Sequence, residues 1–397
     1  MLNDSQLTAL KGHTPAYVFE IAALKERVLF LRSMLPKRVR LCYAVKANPF
    51  LVRELHDLVD CLEICSPGEL RICDSLGSAH DKYVLSGVYK DPALFSARIR
   101  RGDTAGVFTA ESLSQLQLLQ DASSAAGVCL KVLLRLTSGN QFGMSKEDVE
   151  SAVANMASYD ALSFDGIQFF SGTQKTSFRK VKRELESVDF FLKKLYDTYN
   201  YKAHTLEFGP GFAVSYFESE SYDEEEFLAR FSEALDAMEF DGQVTLEMGR
   251  AITASCGSYL TKVVDTKSNQ SGNFAIVDGG MHQLVYYGQV MAMKHPHVTL
   301  FPAREASSDQ YWTICGSLCT INDLLVKQLP AKDLQTGDLL IFEKTGAYCM
   351  TEGIALFLTR DLPEILLQEE DGHLKVVRRR FETSTLNCPD YEHCEEL

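Results

Sequence analysis

From residue 38 to residue 250, two kinds of segment alternate along the chain. Short apolar runs end in turns, and each is followed by a stretch in which apolar residues recur every three or four positions. The first pattern is typical of buried strands and the second of amphipathic helices. Eight strand–helix units within roughly 210 residues predict a (β/α)8 barrel. An open, doubly wound sheet is the alternative, because alternation alone does not prove closure. The eight runs centre on Ala44, Ile64, Leu85, Phe108, Leu133, Phe169, Phe208 and Leu246.

Beyond about residue 257 the pattern changes to strand-like runs separated by Gly, Asn, Ser and Asp. This texture predicts an all-β domain. The run AYVFE at residues 16–20 predicts one more strand, which could pair with that domain, and NQSGN at residues 269–273 predicts a hairpin tip. We therefore expect a barrel domain of residues 26–257 and a β domain of residues 1–25 plus 258–397.

Composition excludes several function classes. The chain has 397 residues, of which 46% are hydrophobic and 24% charged, with a formal net charge of −14. A chain of this length can bury a large core, and so acidic a chain repels a phosphate backbone, so we expect no nucleic-acid partner. The basic segment Lys375–Arg380 is interpreted as a solvated strand face. No long apolar run and no signal peptide is recognisable, which predicts a cytoplasmic protein without a membrane partner.

The eleven cysteines are scattered and include no CxxC pair. This usage predicts reduced thiols rather than a disulfide framework. Cys61 and Cys65, like Cys315 and Cys319, are spaced CxxxC, but neither pair is followed by a second pair of ligands, and the sequence KHPH is interpreted as a polar loop. We therefore predict no metal site.

Candidate chemistry lies where the predicted barrel strands end. Functional groups of such barrels sit at the carboxyl ends of the strands, and phosphate groups are commonly held after strands seven and eight. The loop after the seventh run contains Gly209 and Gly211, and the loop after the eighth contains Gly249 and Arg250. Glycine lets backbone N–H groups approach an anion, and arginine adds a fork of donors, so these loops predict a phosphate site.

Lys46 ends the first run, in YAVKANP. If this strand end turns the ammonium into the barrel mouth, burial disfavours the charged form and leaves an amine for Schiff-base chemistry. A lysine facing a phosphate site points to an aldehyde cofactor with a phosphate group, pyridoxal 5′-phosphate (PLP). Glu247 is then the acid that keeps the pyridine nitrogen protonated, or alternatively a structural partner of Arg250.

Seven motifs together resemble those of the PLP-dependent decarboxylases related to ornithine and diaminopimelate decarboxylase (fold type III). They cover nearly the whole chain in order: YAVKANP, EICSPGEL, LEFGPGF, EMGRA, VDGGMH, CGSLCTIND and KTGAY. The resemblance implies an α/β fold in which a (β/α)8 barrel of alanine-racemase type precedes a C-terminal β domain. It also implies PLP as cofactor and a homodimer with shared active sites.

The resemblance assigns roles to individual residues. Lys46 is implied to bind PLP covalently and Glu247 to bind the pyridine nitrogen. Cys319 of a second subunit is implied to protonate the substrate α-carbon after CO₂ leaves. Glu63 and Arg135 match polar positions near the cofactor. The remaining implied cofactor-binding residues are Phe170, Thr173, Gly209, Gly211, Gly249, Arg250 and Tyr348.

Several positions depart from the family pattern. Phe170 stands where a histidine usually stacks on the cofactor ring, and Thr173 replaces a serine. Pro210 removes one N–H from the usual run of three glycines. Thr320 follows the cysteine where enzymes acting on ornithine or lysine have an acid, and Tyr286 lies roughly where diaminopimelate enzymes have an arginine. A small free amino acid with two charged ends therefore lacks its expected clamp.

The combination of FSGTQ, VDGGMH, GSLCT and TGAY most resembles a natural-product branch of the family, one member of which decarboxylates a glutamyl group on an acyl carrier protein in butirosin biosynthesis. We therefore expect decarboxylation of an amino acid or aminoacyl group in secondary metabolism, with a carrier-bound thioester as the candidate substrate. An acidic chain needs a local basic patch to bind an acidic carrier, and residues 98–101 or 378–380 are the candidates. The alternatives are a decarboxylase of a free diamino acid, an amino-acid racemase of the same fold, and an inactive regulator.

Overall fold

A computed structural model describes residues 2–305 and 310–390. The chain divides into a barrel unit, residues 25–214 and 222–252, and a β unit, residues 1–24, 215–221 and 253–397. Three elements precede the barrel strands: α1 (Asp4–Leu10), β1 (Ala16–Glu20) and α2 (Ile21–Met34).

Eight parallel strands form a closed barrel, because the first of them pairs with both the second and the eighth. Each of the eight apolar runs coincides with one barrel strand, so the predicted (β/α)8 fold is confirmed. The strands are β2 (Arg40–Ala44), β3 (Cys61–Ile64), β4 (Tyr83–Leu85), β5 (Val107–Ala110), β6 (Leu130–Leu136), β7 (Leu162–Phe170), β8 (Thr205–Gly209) and β9 (Gln243–Met248).

Helices alternate with these strands, and short polar residues begin several of them. Ser66, Ser112, Ser145 and Asp223 each accept a hydrogen bond from a backbone N–H of the first helical turn, which satisfies a donor that the helix leaves unpaired. None of the helices in the described part of the chain has both the length and the apolar character of a transmembrane segment. The helices are α3 (Val52–Leu55), α4 (Pro67–Ser75), α5 (Pro92–Arg100), α6 (Leu113–Ala126), α7 (Lys146–Ala154), α8 (Phe178–Tyr199), α9 (Glu224–Asp236) and α10 (Arg250–Thr253).

The β unit is built on a nine-stranded sheet. Strand β1 pairs antiparallel with β10 (Gly257–Asn269) and parallel with β16 (Glu364–Gln368). The predicted hairpin at residues 269–273 is confirmed, since Asn269 faces Gly272 across β10 and β11. The other elements are β11 (Gly272–Val277), β12 (Val298–Phe301), β13 (Tyr311–Cys315), β14 (Leu324–Pro330), β15 (Leu339–Phe342), β17 (Leu374–Arg378) and α11 (Ser384–Asn387).

Candidate active site

Lys46 lies two residues beyond the end of β2, at the carboxyl edge of the barrel. Its Nζ is 2.9 Å from Glu63 Oε2 and 3.2 Å from Glu247 Oε1, and 3.7 Å from Cys65 Sγ. The expectation that burial tunes this amine is wrong, because the side chain is 40% exposed. Two carboxylates instead hold the ammonium in place, so the amine is oriented by opposite charge.

Glu63 on β3 and Glu247 on β9 are buried next to each other and titrate as a pair. Burial alone would raise the pKa of Glu63, but the charge of Lys46 and hydrogen bonds from Glu247 and Lys46 outweigh it and lower that pKa. Burial and the charge of Glu63 raise the pKa of Glu247. Glu63 is thus the more readily ionised member, and Glu247 keeps its proton to higher pH.

Glu207 on β8 is a third buried carboxylate of this cluster, and the sequence analysis did not single it out. One oxygen from each of Glu63, Glu207 and Glu247 lies within 4.8 Å of the others. Gln168 Nε2 donates to Glu207 Oε1 at 2.6 Å. Burial, followed by the charges of the other two glutamates, raises the pKa of Glu207 well above its ordinary value, which favours its protonated form. The sequence did contain an indication of this residue, because Glu207 is an acid within the otherwise apolar run TLEFG.

We predict that Glu207→Gln stabilises the protein increasingly as pH rises. A raised carboxyl pKa means that the folded wild type keeps a proton the unfolded chain has lost, so its stability falls as pH rises from the ordinary glutamate pKa towards the folded value. The glutamine variant lacks this dependence. The difference between the two free energies of unfolding should grow by up to about 1.4 kcal/mol per pH unit as pH rises from the ordinary glutamate pKa of about 4.3 towards the raised pKa of the folded protein. Denaturant melts across that range check this, and parallel curves for the two proteins would contradict it.

Arg135 lies near the carboxyl end of β6. Its Nη1 donates to Glu111 Oε1 at 2.9 Å, and Glu111 Oε2 accepts a hydrogen bond from the Gly143 N–H at 3.2 Å. Both side chains are largely buried, and the guanidinium lies over the Phe142 ring. The pair therefore holds the loop after β6 against the barrel, while the charge of Arg135 also helps to lower the pKa of Glu63.

The glycines of the predicted phosphate site occupy positions where a side chain cannot fit. A Cβ at Gly209 would overlap the Phe170 ring, which lies at the end of the neighbouring strand β7. Gly211 has a φ of +65°, and a Cβ there would overlap the Gly172 carbonyl oxygen. The end of β8 and the loop after it are therefore packed too closely at these two positions for any residue with a side chain, so glycine is required there.

Arg250 lies in the other loop of the predicted phosphate site, the loop after β9. Its Nε donates to Thr173 Oγ1 at 3.4 Å, which joins the loop after β9 to the loop after β7. Gly249 lies between the last residue of β9 and Arg250. Five of the predicted cofactor-binding residues thus lie on adjoining strand ends of β7, β8 and β9: Phe170, Thr173, Gly209, Gly211 and Arg250.

Cys319 and Tyr348 belong to the β unit. Cys319 is exposed, in the loop after β13, and Tyr348 has a φ of +64° in the loop after β15. Asp323, which the sequence analysis missed, organises the first of these loops: its two carboxylate oxygens accept hydrogen bonds from the N–H groups of Met281 and Leu318, at 2.7 and 2.8 Å. One buried carboxylate therefore joins VDGGMH to GSLCT.

We predict that Asp323→Asn destabilises the protein and weakens catalysis. The amide replaces one acceptor oxygen with an NH₂ group that faces a backbone donor, leaving a buried N–H unsatisfied at a cost of about 1–3 kcal/mol. The Cys319 loop then loses one of its anchors. Thermal unfolding and turnover of Asp323→Asn, compared with the exposed control Asp333→Asn, check this, and two indistinguishable variants would contradict it.

The described residues contain one group of side chains that could hold a metal ion, the three glutamates Glu63, Glu207 and Glu247. The Lys46 ammonium already contacts two of them. Their oxygens therefore act as partners of an amine, and the arrangement fits a carbonyl-binding lysine.

The two basic segments expected to bind a carrier protein, residues 98–101 and 378–380, are only partly exposed. Arg98 is buried, with Nη1 3.5 Å from Asp74 Oδ2 and the guanidinium over the Tyr83 ring, because α5 turns this side chain inward. Arg378 is half-buried and donates to the Pro363 carbonyl oxygen. Only the neighbouring arginines of each segment are exposed: Arg100, Arg101, Arg379 and Arg380.

Comparison with known proteins gives a consistent result. The family described as "Pyridoxal-dependent decarboxylase, pyridoxal binding domain" matches residues 21–254. An L-glutamyl-[BtrI acyl-carrier protein] decarboxylase from Niallia circulans is 24% identical, with 96% of this chain and 94% of that protein aligned. A diaminopimelate decarboxylase from Pseudomonas fluorescens is 30% identical over 84% of this chain and 83% of its own. The crystal structure of the M. jannaschii diaminopimelate decarboxylase with L-lysine superposes with a TM-score of 0.84, at 20% identity, over 98% of this chain and 94% of the other.

Proposed function

The chain belongs to the pyridoxal-dependent decarboxylases, and from that premise we propose that it removes the α-carboxylate of an aminoacyl group carried as a thioester on an acyl carrier protein. The enzyme class and the cofactor follow from the family. The observation that carries the proposed site is the position of Lys46 Nζ, which lies between the carboxylates of Glu63 and Glu247 at the mouth of the barrel.

The residues at this mouth fit PLP. Lys46 offers an amine for the aldehyde, Glu247 an acid for the pyridine nitrogen, and the loops of Gly211 and Arg250 a cradle for the phosphate. PLP, when bound, supplies an electron sink for the bond between the α-carbon and the carboxylate. A positive charge on the pyridine nitrogen would favour the ionised form of Glu247 and so oppose the rise in its pKa.

The protein's side chains then hold and move protons. Glu63, ionised and buried, keeps Lys46 oriented and supplies a counter-charge next to it. Phe170 at the end of β7 offers an apolar surface to the cofactor ring without a hydrogen bond. Cys319, exposed on its loop, donates the proton that replaces CO₂ on the α-carbon.

The substrate side favours an uncharged distal group. Tyr286, which lies roughly where diaminopimelate enzymes have a substrate-binding arginine, is buried, and its hydroxyl donates to the Glu343 carbonyl oxygen at 2.6 Å. It packs against Tyr216 and Phe217, so it belongs to the core of the β unit. With Thr320 after Cys319, neither position offers a charge to a free diamino acid. A thioester-linked aminoacyl group needs no such charge, and the 24% identical relative named above acts on one.

We further propose that the active enzyme is a homodimer with shared active sites. Cys319 is exposed in the β unit, and so are the apolar side chains of Ile354, Leu356, Phe357 and Leu358, each 44–48% accessible. An exposed apolar stretch of this kind is typical of a surface covered by another subunit. For the carrier, the exposed pair Arg100 and Arg101 is the basic patch that remains near α5.

A panel of substrates tests the proposal. The PLP-loaded enzyme is incubated with glutamyl and aspartyl carrier proteins, each joined through its side-chain carboxyl so that the α-carboxylate is free, and with free glutamate, aspartate, ornithine, lysine and diaminopimelate, and CO₂ is measured. We expect release from at least one carrier-linked substrate and little from the free ones. Release from free diaminopimelate, ornithine or lysine alone would instead assign a free diamino acid, and stereo-inversion without CO₂ would indicate a racemase.

A further inference from the structure

Residues 171–177 join β7 to α8, and their first part, residues 171–175, carries Thr173 of the proposed phosphate cradle. The carboxylate of Glu184, on α8, holds both ends of this first part. Ser171 Oγ donates to Glu184 Oε1 at 2.7 Å, and Lys175 Nζ donates to Glu184 Oε2 at 2.6 Å. The Glu184 side chain therefore holds Ser171 and Lys175, which flank Thr173, at a fixed separation.

The ion pair between Lys175 and Glu184 is almost completely buried. The two side chains are 2% and 13% exposed, and the ammonium lies over the Phe208 ring. Burial lowers the pKa of Lys175, and the hydrogen bond to Glu184 opposes that change. Buried charge pairs are often no more stable than apolar residues of similar size, so this pair is better explained by the geometry it imposes than by stability.

The opposite side of the loop is fixed to the glycine loop after β8. Gln174, with a φ of 55°, exchanges two hydrogen bonds with Val214: its Nε2 donates to the Val214 carbonyl oxygen at 2.9 Å, and its Oε1 accepts from the Val214 N–H at 2.8 Å. The Lys175 N–H donates to the Gly211 carbonyl oxygen at 2.9 Å. A displacement of Lys175 is thus transmitted directly to Gly211.

We propose that Glu184 is a positioning residue for the phosphate group of PLP: by holding Ser171 and Lys175 it sets the spacing between the Thr173 loop and the Gly211 loop. This inference rests on the proposed function, which places the phosphate at these two loops. Glu184 acts through its neighbours, so its loss should weaken recognition of the phosphate specifically and leave recognition of the aldehyde and ring intact.

Comparison of PLP with pyridoxal, which lacks the phosphate, tests the proposal. The full-length protein is freed of cofactor, and the dissociation constant of each compound is measured by equilibrium dialysis for wild type and for Glu184→Gln. We expect PLP to bind at least about tenfold more weakly to the variant, which corresponds to about 1.4 kcal/mol, and pyridoxal to change less than about threefold, because the Thr173 loop is no longer held at the spacing that the phosphate requires. Glu186→Gln is the matched control, since Glu186 lies on the same helix in an exposed pair with Lys182, and it should behave as wild type.

Each alternative result has a distinct meaning. Equal weakening of PLP and pyridoxal, or no weakening of either, would overturn the positioning role. Wild type that binds both compounds equally would overturn the proposed phosphate site itself, and the inference with it. If Glu184→Gln fails to fold, the double variant Lys175→Met/Glu184→Leu, which replaces the buried pair with apolar residues, takes its place: the inference requires it to fold and to show the same selective loss for PLP.

Discussion

Replacement of Lys46 by alanine is expected to reduce CO₂ release by about 10³-fold or more and to remove the absorbance band of the lysine-bound cofactor. The variant loses the amine that binds the aldehyde and the positioned group that exchanges protons with the substrate. PLP can still bind through the phosphate cradle, so the loss should appear in the spectrum and in turnover more than in total bound cofactor. Absorbance spectra and a CO₂ assay of the purified variant check this.

Lys46→Arg is the matched control for the electrostatic role. Arginine keeps the positive charge next to Glu63 and Glu247, so the variant should unfold at the wild-type temperature. It cannot bind the aldehyde covalently and should be as inactive as Lys46→Ala. Full turnover by either variant would exclude Lys46 as the cofactor lysine.

Mixing two inactive variants is expected to restore activity. If Cys319 serves the site of a second subunit, Lys46→Ala and Cys319→Ala each destroy both sites of their own homodimer. After subunit exchange, half of the dimers are mixed, and each mixed dimer contains one site with both residues intact, so activity should rise to about a quarter of wild type. The measurement is CO₂ release as a function of the mixing ratio, with each variant alone as the baseline.

Mass spectrometry first shows that the sample contains mixed dimers. If CO₂ release then stays at the baseline at every mixing ratio, the shared site is contradicted. Lys46→Arg offers a second control: it is expected to be inactive through loss of the same residue, so mixing it with Lys46→Ala should leave activity at the baseline.

The sequence predicted the barrel because its strands are buried on both faces and read as apolar runs, each of which proved to be a strand. Three strands of the β unit, β12, β14 and β16, were not predicted. They are short or amphipathic, and what defines them is pairing with strands distant in the chain, such as β1 with β16. Pairing of that kind leaves little local pattern.

Motifs identified Lys46, Glu247 and Arg250, but the interactions that tune them could not be predicted. The expectation of a buried amine at Lys46 was wrong because exposure depends on how the strand end meets its neighbours. In the sequence, Glu207 is a single acid within an apolar run. Only the closed barrel brings it close to Glu63 and Glu247. Asp323 and Glu184 likewise act across loops far apart in the chain, where spacing carries no information.

The most direct test of the account is to locate the cofactor on the chain. The purified enzyme is loaded with PLP and reduced with borohydride, which converts the lysine–cofactor link into a stable adduct, and its peptides are sequenced by mass spectrometry. The account predicts a single pyridoxyl-modified lysine, Lys46, within YAVKANP. Modification of another lysine instead, such as the buried Lys90 or Lys175, would contradict it.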